Sequence, residues 1–214
     1  MSGEGRLRLK RLLFNLFYPA VLGTFFVSLL PAVEASFQRG LQFSAALDWK
    51  LILCLLIVAH FIVDYVFTEE IRAYRLSLFL IDLAVVVLLY AAYVNVHLGE
   101  DPPIGVRAIA SAMAGVYACF LLWEHLSRLE IGRQPAMTAY EAASAIGFVV
   151  LAILRSTTLL ALGLAVATLA MIVICGRVLR QYNLRQGIEE GSSQGAVNTI
   201  AAPDANRAMR GRRR

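Results

Sequence analysis

Residues 49–68 read WKLILCLLIVAHFIVDYVFT, a run of twenty residues with only two charged side chains, Lys50 and Asp64. A bilayer core about 30 Å thick is crossed by about 20 helical residues. The run is therefore long enough and apolar enough to span a membrane as one helix. His60 lies four residues before Asp64, so this span also carries two side chains that can bind protons.

Five further apolar runs occur along the chain. Soluble domains are about 45–50% apolar, whereas this chain of 214 residues is 59% hydrophobic. The spans and their short connections leave no room for a soluble catalytic domain. The sequence therefore predicts an all-α fold, a polytopic six-helix transmembrane bundle. The six predicted spans lie at residues 12–34, 49–68, 76–97, 106–126, 139–155 and 157–179.

The basic residues divide unevenly between the two sides of this bundle. If the connections alternate between sides, sixteen of the twenty Lys and Arg residues share the side that holds both termini. The opposite side holds Arg39, Lys50, Arg107 and Arg155. Because basic loops resist translocation, we expect the richer side and both termini to be cytoplasmic. The compactness of the chain indicates a multi-pass protein of a bacterial inner membrane.

Two features of the ends complete the predicted organisation. The first apolar run is longer than the roughly 7–15 residues of a signal peptide, so we expect an uncleaved first span. A membrane domain at 1–185 is followed by 186–214, which is poor in large apolar side chains and is predicted to be a disordered cytoplasmic tail. Anionic lipid headgroups would attract the basic cluster at its end, and an inert tail is the alternative. The cluster consists of Arg210, Arg212, Arg213 and Arg214.

The net charge of +5 follows mostly from this topology. The basic residues flank spans and are not gathered into a domain, so no nucleic-acid partner is expected. The lipid bilayer itself is the expected environment. A second copy or another membrane subunit is a further candidate partner, because small residues four apart let helices approach closely in lipid. The candidate packing pairs are Ser111 with Gly115, Ala143 with Gly147, and Gly163 with Ala167.

Six ionisable residues within or at the ends of spans are the candidates for a function. An ionisable side chain at the bilayer centre costs at least about 2.5 kcal/mol on insertion scales, so it needs a partner, water or a role. Their positions along the spans place all six towards the side with the termini. They are His60, Asp64, Asp82, Glu124, His125 and Glu141.

Two interpretations of these residues stay open. In the structural one, His60 and Asp64 pair on one helix face, and Asp82 accepts hydrogen bonds from Arg72 or Arg75. In the functional one, the carboxylates and a histidine form a path in a small proton or cation transporter or channel subunit. The alternative function is a non-catalytic partner, assembly factor or scaffold subunit that acts through helix contacts and the basic tail.

A metal site for intramembrane chemistry is a third interpretation, because His60, Asp64, Asp82 and His125 have suitable ligand types. No HExxH, GxSxG or Gly-rich phosphate loop occurs, and the three cysteines lie singly in different spans. The sequence therefore gives little support for an enzyme, and it does not indicate a cofactor.

Phe61 and Asp64 in span two, with Asp82 in span three, resemble the charge-transfer centre of voltage-sensor domains. There an aromatic and an acid on the second helix and an Asp on the third stabilise passing arginines. Span four departs from the pattern, because residues 108–126 contain no Arg or Lys, and spans five and six are joined too closely to hold a pore loop. Voltage sensing is therefore not expected.

Overall fold

The computed structural model describes residues 10–38, 49–70, 75–96, 105–131 and 134–201. Every secondary-structure element in these ranges is a helix. A π-helical segment, Leu13–Phe17, leads into the first α-helix. The α-helices are α1 (Tyr18–Gln38), α2 (Trp49–Glu70), α3 (Leu76–Val94), α4 (Val106–Ile131), α5 (Pro135–Leu154) and α6 (Thr157–Ala201).

Six helical segments of the described residues are long and apolar enough to cross a membrane, which confirms the predicted all-α fold with six candidate spans. The predicted start of span five, at 139, was too late. Gln134 and Pro135 begin α5 instead, because proline at the first helical position has a backbone angle suited to a helix and needs no hydrogen bond. The six segments are Lys10–Pro31, Trp49–Thr68, Leu76–Val94, Val106–Ser127, Pro135–Leu154 and Thr157–Arg180.

The π-helical segment immediately precedes α1 and fits the proline near its start. The backbone N–H of Tyr18 donates to the carbonyl of Leu13, five residues earlier. Pro19 follows, and a proline inside a helix lacks a donor and crowds the carbonyl four residues before it. The wider π-helical turn accommodates that crowding. It also accompanies the burial of the Tyr18 side chain, which is 1% exposed.

The chain divides into two compact units, Met1–Cys175 and Gly176–Arg214. In the first unit, α4 packs most closely against α3 and α5. Gly115 of α4 faces Leu88 of α3, and a Cβ at this glycine would lie 3.1 Å from the Leu88 Cδ1 atom. The small side of α4 thus lets α3 approach closely.

The candidate packing pairs fall at different kinds of position. A Cβ at Gly163 of α6 would lie 2.7 Å from Cδ1 of Leu151 on α5, and Ala167 is buried, so this pair lies at a helix contact. On α5, Ala143 is exposed, and a Cβ at Gly147 would meet no atom within 4 Å among the described residues. That pair faces away from the described part of the bundle, as does the exposed Ser111 of α4.

The second unit contains the end of α6. The helix continues to Ala201 and does not end near residue 185, where the predicted tail begins. Extending an existing helix adds one hydrogen bond per residue without a new nucleation step, so a membrane helix can continue into residues with weak helical preference. Residues 202–214, with Arg210, Arg212, Arg213 and Arg214, lie outside the described residues, and the disorder predicted for them stays a prediction.

Candidate functional site

A small cavity lies in the half of the bundle where α2 ends and α3 begins. Its lining includes Asp64 from α2, Asp82 from α3 and Glu141 from α5, together with apolar residues of α4 and α6. Its volume is ≈ 20 Å³, which is room for about one water molecule. We call it the acidic cavity. Because its acids come from three helices, the tertiary fold brings them together and no local motif does.

Asp64 is 3% exposed and is held by a tyrosine from the first helix. The Tyr18 hydroxyl donates a hydrogen bond to Oδ2 of Asp64 at 2.7 Å. The Tyr18 ring in turn lies between Phe14, Phe61 and Tyr65, with centroids 5.3, 5.0 and 5.1 Å away. This aromatic packing fixes the tyrosine, so the Asp64 side chain has a rigid donor on one oxygen.

Glu141 differs from Asp64 in having no such donor. The side chain is 1% exposed, and neither carboxyl oxygen has a hydrogen-bond partner among the residues that the structure describes. A buried ionised carboxylate without hydrogen bonds is strongly unfavourable. Glu141 must therefore hold a proton, or be stabilised by water or a cation in the cavity.

Glu124 of α4 is also buried, at 4% exposed. Its carboxylate is satisfied by Thr138 of α5, whose hydroxyl lies 2.7 and 2.5 Å from Oε1 and Oε2 of Glu124. Thr138 and Glu141 are three residues apart and so share a face of α5. Of the two neighbouring glutamates, only Glu141 is left without a donor within the described ranges.

Three carboxyl groups around so small a space cannot all carry a charge unless something neutralises them. Like charges repel strongly in the low-dielectric interior of a protein. Within the described residues, no group of three or more His, Cys, Asp or Glu side chains is arranged to hold a metal ion. A bound proton, which removes the charge of a carboxylate, is one means of such neutralisation.

His60 is not a member of the acidic cavity. Its Nδ1 atom lies 3.3 Å from the Thr168 hydroxyl, and its ring contacts Tyr117 and Phe120. The expected pair between His60 and Asp64 is not formed, because each finds its partner on another helix.

Two buried ring nitrogens near the site lack a hydrogen-bond partner among the described residues, and one predicted contact is not tested. Nε2 of His60 and Nε1 of Trp123 have no hydrogen-bond partner within the described part of the chain. The predicted hydrogen bonds from Arg72 or Arg75 to Asp82 stay a prediction. Arg72 lies outside the described residues, and Arg75 and Asp82 each have an interaction partner.

Two tyrosines tie α4, α5 and α6 together beside the cavity. The Tyr140 hydroxyl donates to the carbonyl of Ala167 at 2.7 Å. Its single hydrogen is thereby used, so Tyr117 is the donor in the 2.6 Å bond between the two hydroxyls. Tyr140 also lines the acidic cavity, and its hydrogen bond to the backbone of α6 holds the wall of the cavity in place.

The remaining sequence candidates fall outside the cavity. His125 is exposed although its neighbour Glu124 is buried, so the two adjacent side chains point to different faces of α4. Phe61, from the resemblance to a charge-transfer centre, packs against Tyr18 and Phe25. The described residues that line the cavity include no Arg or Lys.

Three residues that hydrogen-bond to the candidate ionisable side chains could not be recognised from the sequence. Tyr18, Thr138 and Thr168 are uncharged polar residues within apolar spans, where such residues occur without special roles, and each acts across a long separation in sequence or between helices. No protein-family model, no curated protein and no solved structure matches the chain. Function must therefore be inferred from the geometry of the site.

Proposed function

We propose that the chain binds and transfers protons within a membrane, as a small transporter or channel subunit, through Asp64, Asp82 and Glu141. The observation that carries the proposal is that three buried carboxyl groups from three helices line one cavity. A carboxylic acid donates a hydrogen bond and a carboxylate accepts one, so a proton can pass between neighbouring carboxyl groups directly or through one water.

The size of the cavity favours protons over larger cations. A volume of ≈ 20 Å³ holds about one water, whereas Ca²⁺ and Mg²⁺ take six or more oxygen ligands. A proton needs no coordination shell of that kind. The proposal therefore names the proton as the transported species within the broader class of cation transport.

The location of the acids supports gated transfer. Among the residues that the structure describes, the buried carboxyl groups are Asp64, Asp82, Glu124 and Glu141, and all four lie in the same half of the bundle. A proton bound there has crossed only part of the bilayer. We therefore propose that a conformational change, or a partner subunit, completes the path.

The basic residues supply the orientation in this proposal. If the connections alternate between sides, sixteen of the twenty Lys and Arg residues share the side of the termini, and this asymmetry favours a cytoplasmic location for that side. The acidic cavity then lies in the cytoplasmic half of a cell membrane, which we propose to be a bacterial inner membrane. The basic end of the tail would contact its anionic headgroups.

Proton flux into liposomes tests the proposal. Purified protein is reconstituted, a potassium diffusion potential is imposed, and internal acidification is followed with a pH-sensitive dye. We expect flux above that of empty liposomes, and flux at the empty-liposome level for Asp64→Asn/Asp82→Asn. Glu34→Gln is the matched control, because it neutralises an exposed carboxylate outside the cavity. Wild-type protein that conducts no more than empty liposomes would contradict the proposal.

A non-catalytic partner subunit is the second candidate function. The exposure of α5 is the observation in its favour. Only 11% of the residues in the candidate span of α5 are buried, whereas 28–50% of the residues are buried in the other five candidate spans of the described residues. The open face contains Ala143 and Gly147, a spacing that admits a second helix. If this candidate is correct, Ala143→Leu/Gly147→Leu should abolish cross-linking to the partner in native membranes, and Asp64→Asn/Asp82→Asn should leave the cross-linking unchanged.

A further inference from the structure

A groove with the opposite chemistry lies at the other end of the bundle from the acidic cavity. Its wider part has a volume of ≈ 720 Å³ and its narrower part ≈ 510 Å³. Arg107, Ser111 and Arg155 line both parts, which makes them one continuous groove. We call it the arginine groove. It is independent of the acidic cavity and of the function proposed for it.

The connection between α5 and α6 places one arginine in this groove. Arg155 has φ 54°, the only positive value at a non-glycine position within the described residues, and its N–H donates to the carbonyl of Leu151. The chain then reverses at once, because the Ser156 carbonyl accepts the first hydrogen bond of α6 from Leu160. Glycine is the usual residue at such a helix end, so an arginine here points to a use for its side chain.

The wider part of the groove concentrates positive charge. Arg107 lies in the first turn of α4 and Thr157 in the first turn of α6. Helix N-termini carry unsatisfied N–H groups and a partial positive charge, and two of them meet two guanidinium groups here. None of the lining residues that the structure describes is an Asp or Glu. The expected occupant is therefore an anion, and guanidinium groups suit a phosphate because they bind it with two parallel hydrogen bonds.

The narrower part of the groove is apolar. It runs between α4 and α5, where Ala114, Val149 and Ile153 line it. Val149 and Ile153 are 52% and 74% exposed, so their side chains are free to contact an acyl chain. A phosphate site that continues into an apolar channel between two membrane helices matches the order of groups in a phospholipid. A soluble phosphate compound has no part that would use the apolar half.

We propose that the arginine groove binds a phospholipid with an anionic headgroup. Its phosphate lies between Arg107 and Arg155, and one acyl chain follows the channel between α4 and α5. Both arginines that line the groove, Arg107 and Arg155, are thereby gathered with two helix N-termini.

Native mass spectrometry of the detergent-solubilised chain tests the proposal, with phosphatidylglycerol and phosphatidylcholine as probes. We expect phosphatidylglycerol to bind at least about tenfold more tightly than phosphatidylcholine, and Arg107→Gln/Arg155→Gln to abolish that difference. Lys50→Gln, which removes a basic residue outside the groove on the same side, should keep it. Equal binding of the two lipids by the wild type would overturn the proposal.

Two further measurements separate the phospholipid from other occupants and from misfolding. Arg155→Gly keeps a residue that readily adopts a positive φ, so it should fold normally and still lose most of the preference for phosphatidylglycerol. Full retention of the preference in this variant would overturn the role of Arg155. Displacement of the lipid by millimolar inorganic phosphate would identify a free-phosphate site instead. A change of oligomeric size in Arg107→Gln/Arg155→Gln, without loss of lipid, would identify a contact between copies.

Discussion

The acidic cavity and the arginine groove both contain charged side chains, but they hold them under opposite conditions. The cavity encloses three carboxyl groups around ≈ 20 Å³, whereas the groove is open and surrounds ≈ 720 Å³ with two arginines. Each region contains a residue that local energetics disfavour. Glu141 is buried without a hydrogen-bond donor among the described residues, and Arg155 occupies a left-handed backbone conformation.

This difference shows two ways in which a membrane protein can retain an unfavourable residue. At Glu141 the unfavourable term is desolvation, which a bound proton removes. At Arg155 it is backbone conformation, which no ligand removes, so only the use of the side chain offsets it. Residues with an unfavourable backbone conformation or an unsatisfied buried group are expected at functional sites. Replacing Glu141 by an apolar residue, or Arg155 by glycine, should therefore stabilise the fold and damage a function.

Glu141→Leu gives the largest expected effect. Proton flux should fall to the empty-liposome level, while the free energy of unfolding rises by roughly 1–3 kcal/mol, because an unsatisfied buried polar group is removed. Flux in liposomes and unfolding of the protein in detergent measure the two quantities. Glu124→Leu is the matched comparison, and it should lower stability, since the Glu124 carboxylate accepts from Thr138. A loss of stability in Glu141→Leu would show that this glutamate has a stabilising partner.

Tyr18→Phe tests the carboxyl group that does have a donor. It removes the 2.7 Å hydrogen bond to Asp64 and leaves a buried acceptor unsatisfied, so the free energy of unfolding should fall by about 1–3 kcal/mol. The ring contacts stay in place. Tyr90→Phe, at a tyrosine that is 40% exposed, should change stability by less than about 0.5 kcal/mol. Equal effects of the two substitutions would remove the distinction drawn between Asp64 and Glu141.

Arg155→Gly tests the energetic cost of the left-handed backbone conformation in the arginine groove. Relief of the left-handed conformation should raise the free energy of unfolding by about 1 kcal/mol. Arg155→Ala is the control for charge, because it removes the guanidinium group and keeps a Cβ, so no such gain is expected. Thermal unfolding of both variants in the same detergent measures the difference. If Ala stabilises as much as Gly, charge and not backbone conformation is the unfavourable term at this position.

The sequence predicted the fold well because a membrane span leaves a strong signal. An uninterrupted apolar run of about twenty residues is typical of a membrane helix and rare in soluble domains. Among the starts of the six spans, the largest error was at α5, which begins four residues earlier than predicted. That error mattered for the site, since the first turn of α5 contains Thr138, the donor to Glu124. The ionisable members of the cavity were identified because charge is costly in a bilayer. Tyr18 was not, because an uncharged hydroxyl in an apolar span looks ordinary until the fold brings Asp64 beside it.

His125→Ala is the smallest expected effect and the sharpest check on that reasoning. Depth along a span placed His125 with Glu124, but consecutive residues of a helix are rotated by about 100° from each other. The structure accordingly exposes His125 and buries Glu124. Flux should therefore stay at the wild-type level, and stability should change by less than about 0.5 kcal/mol. A substantial loss of flux would extend the proton path beyond the acidic cavity to the exposed face of α4, and the position of a residue along its span would then matter more than the face on which it lies.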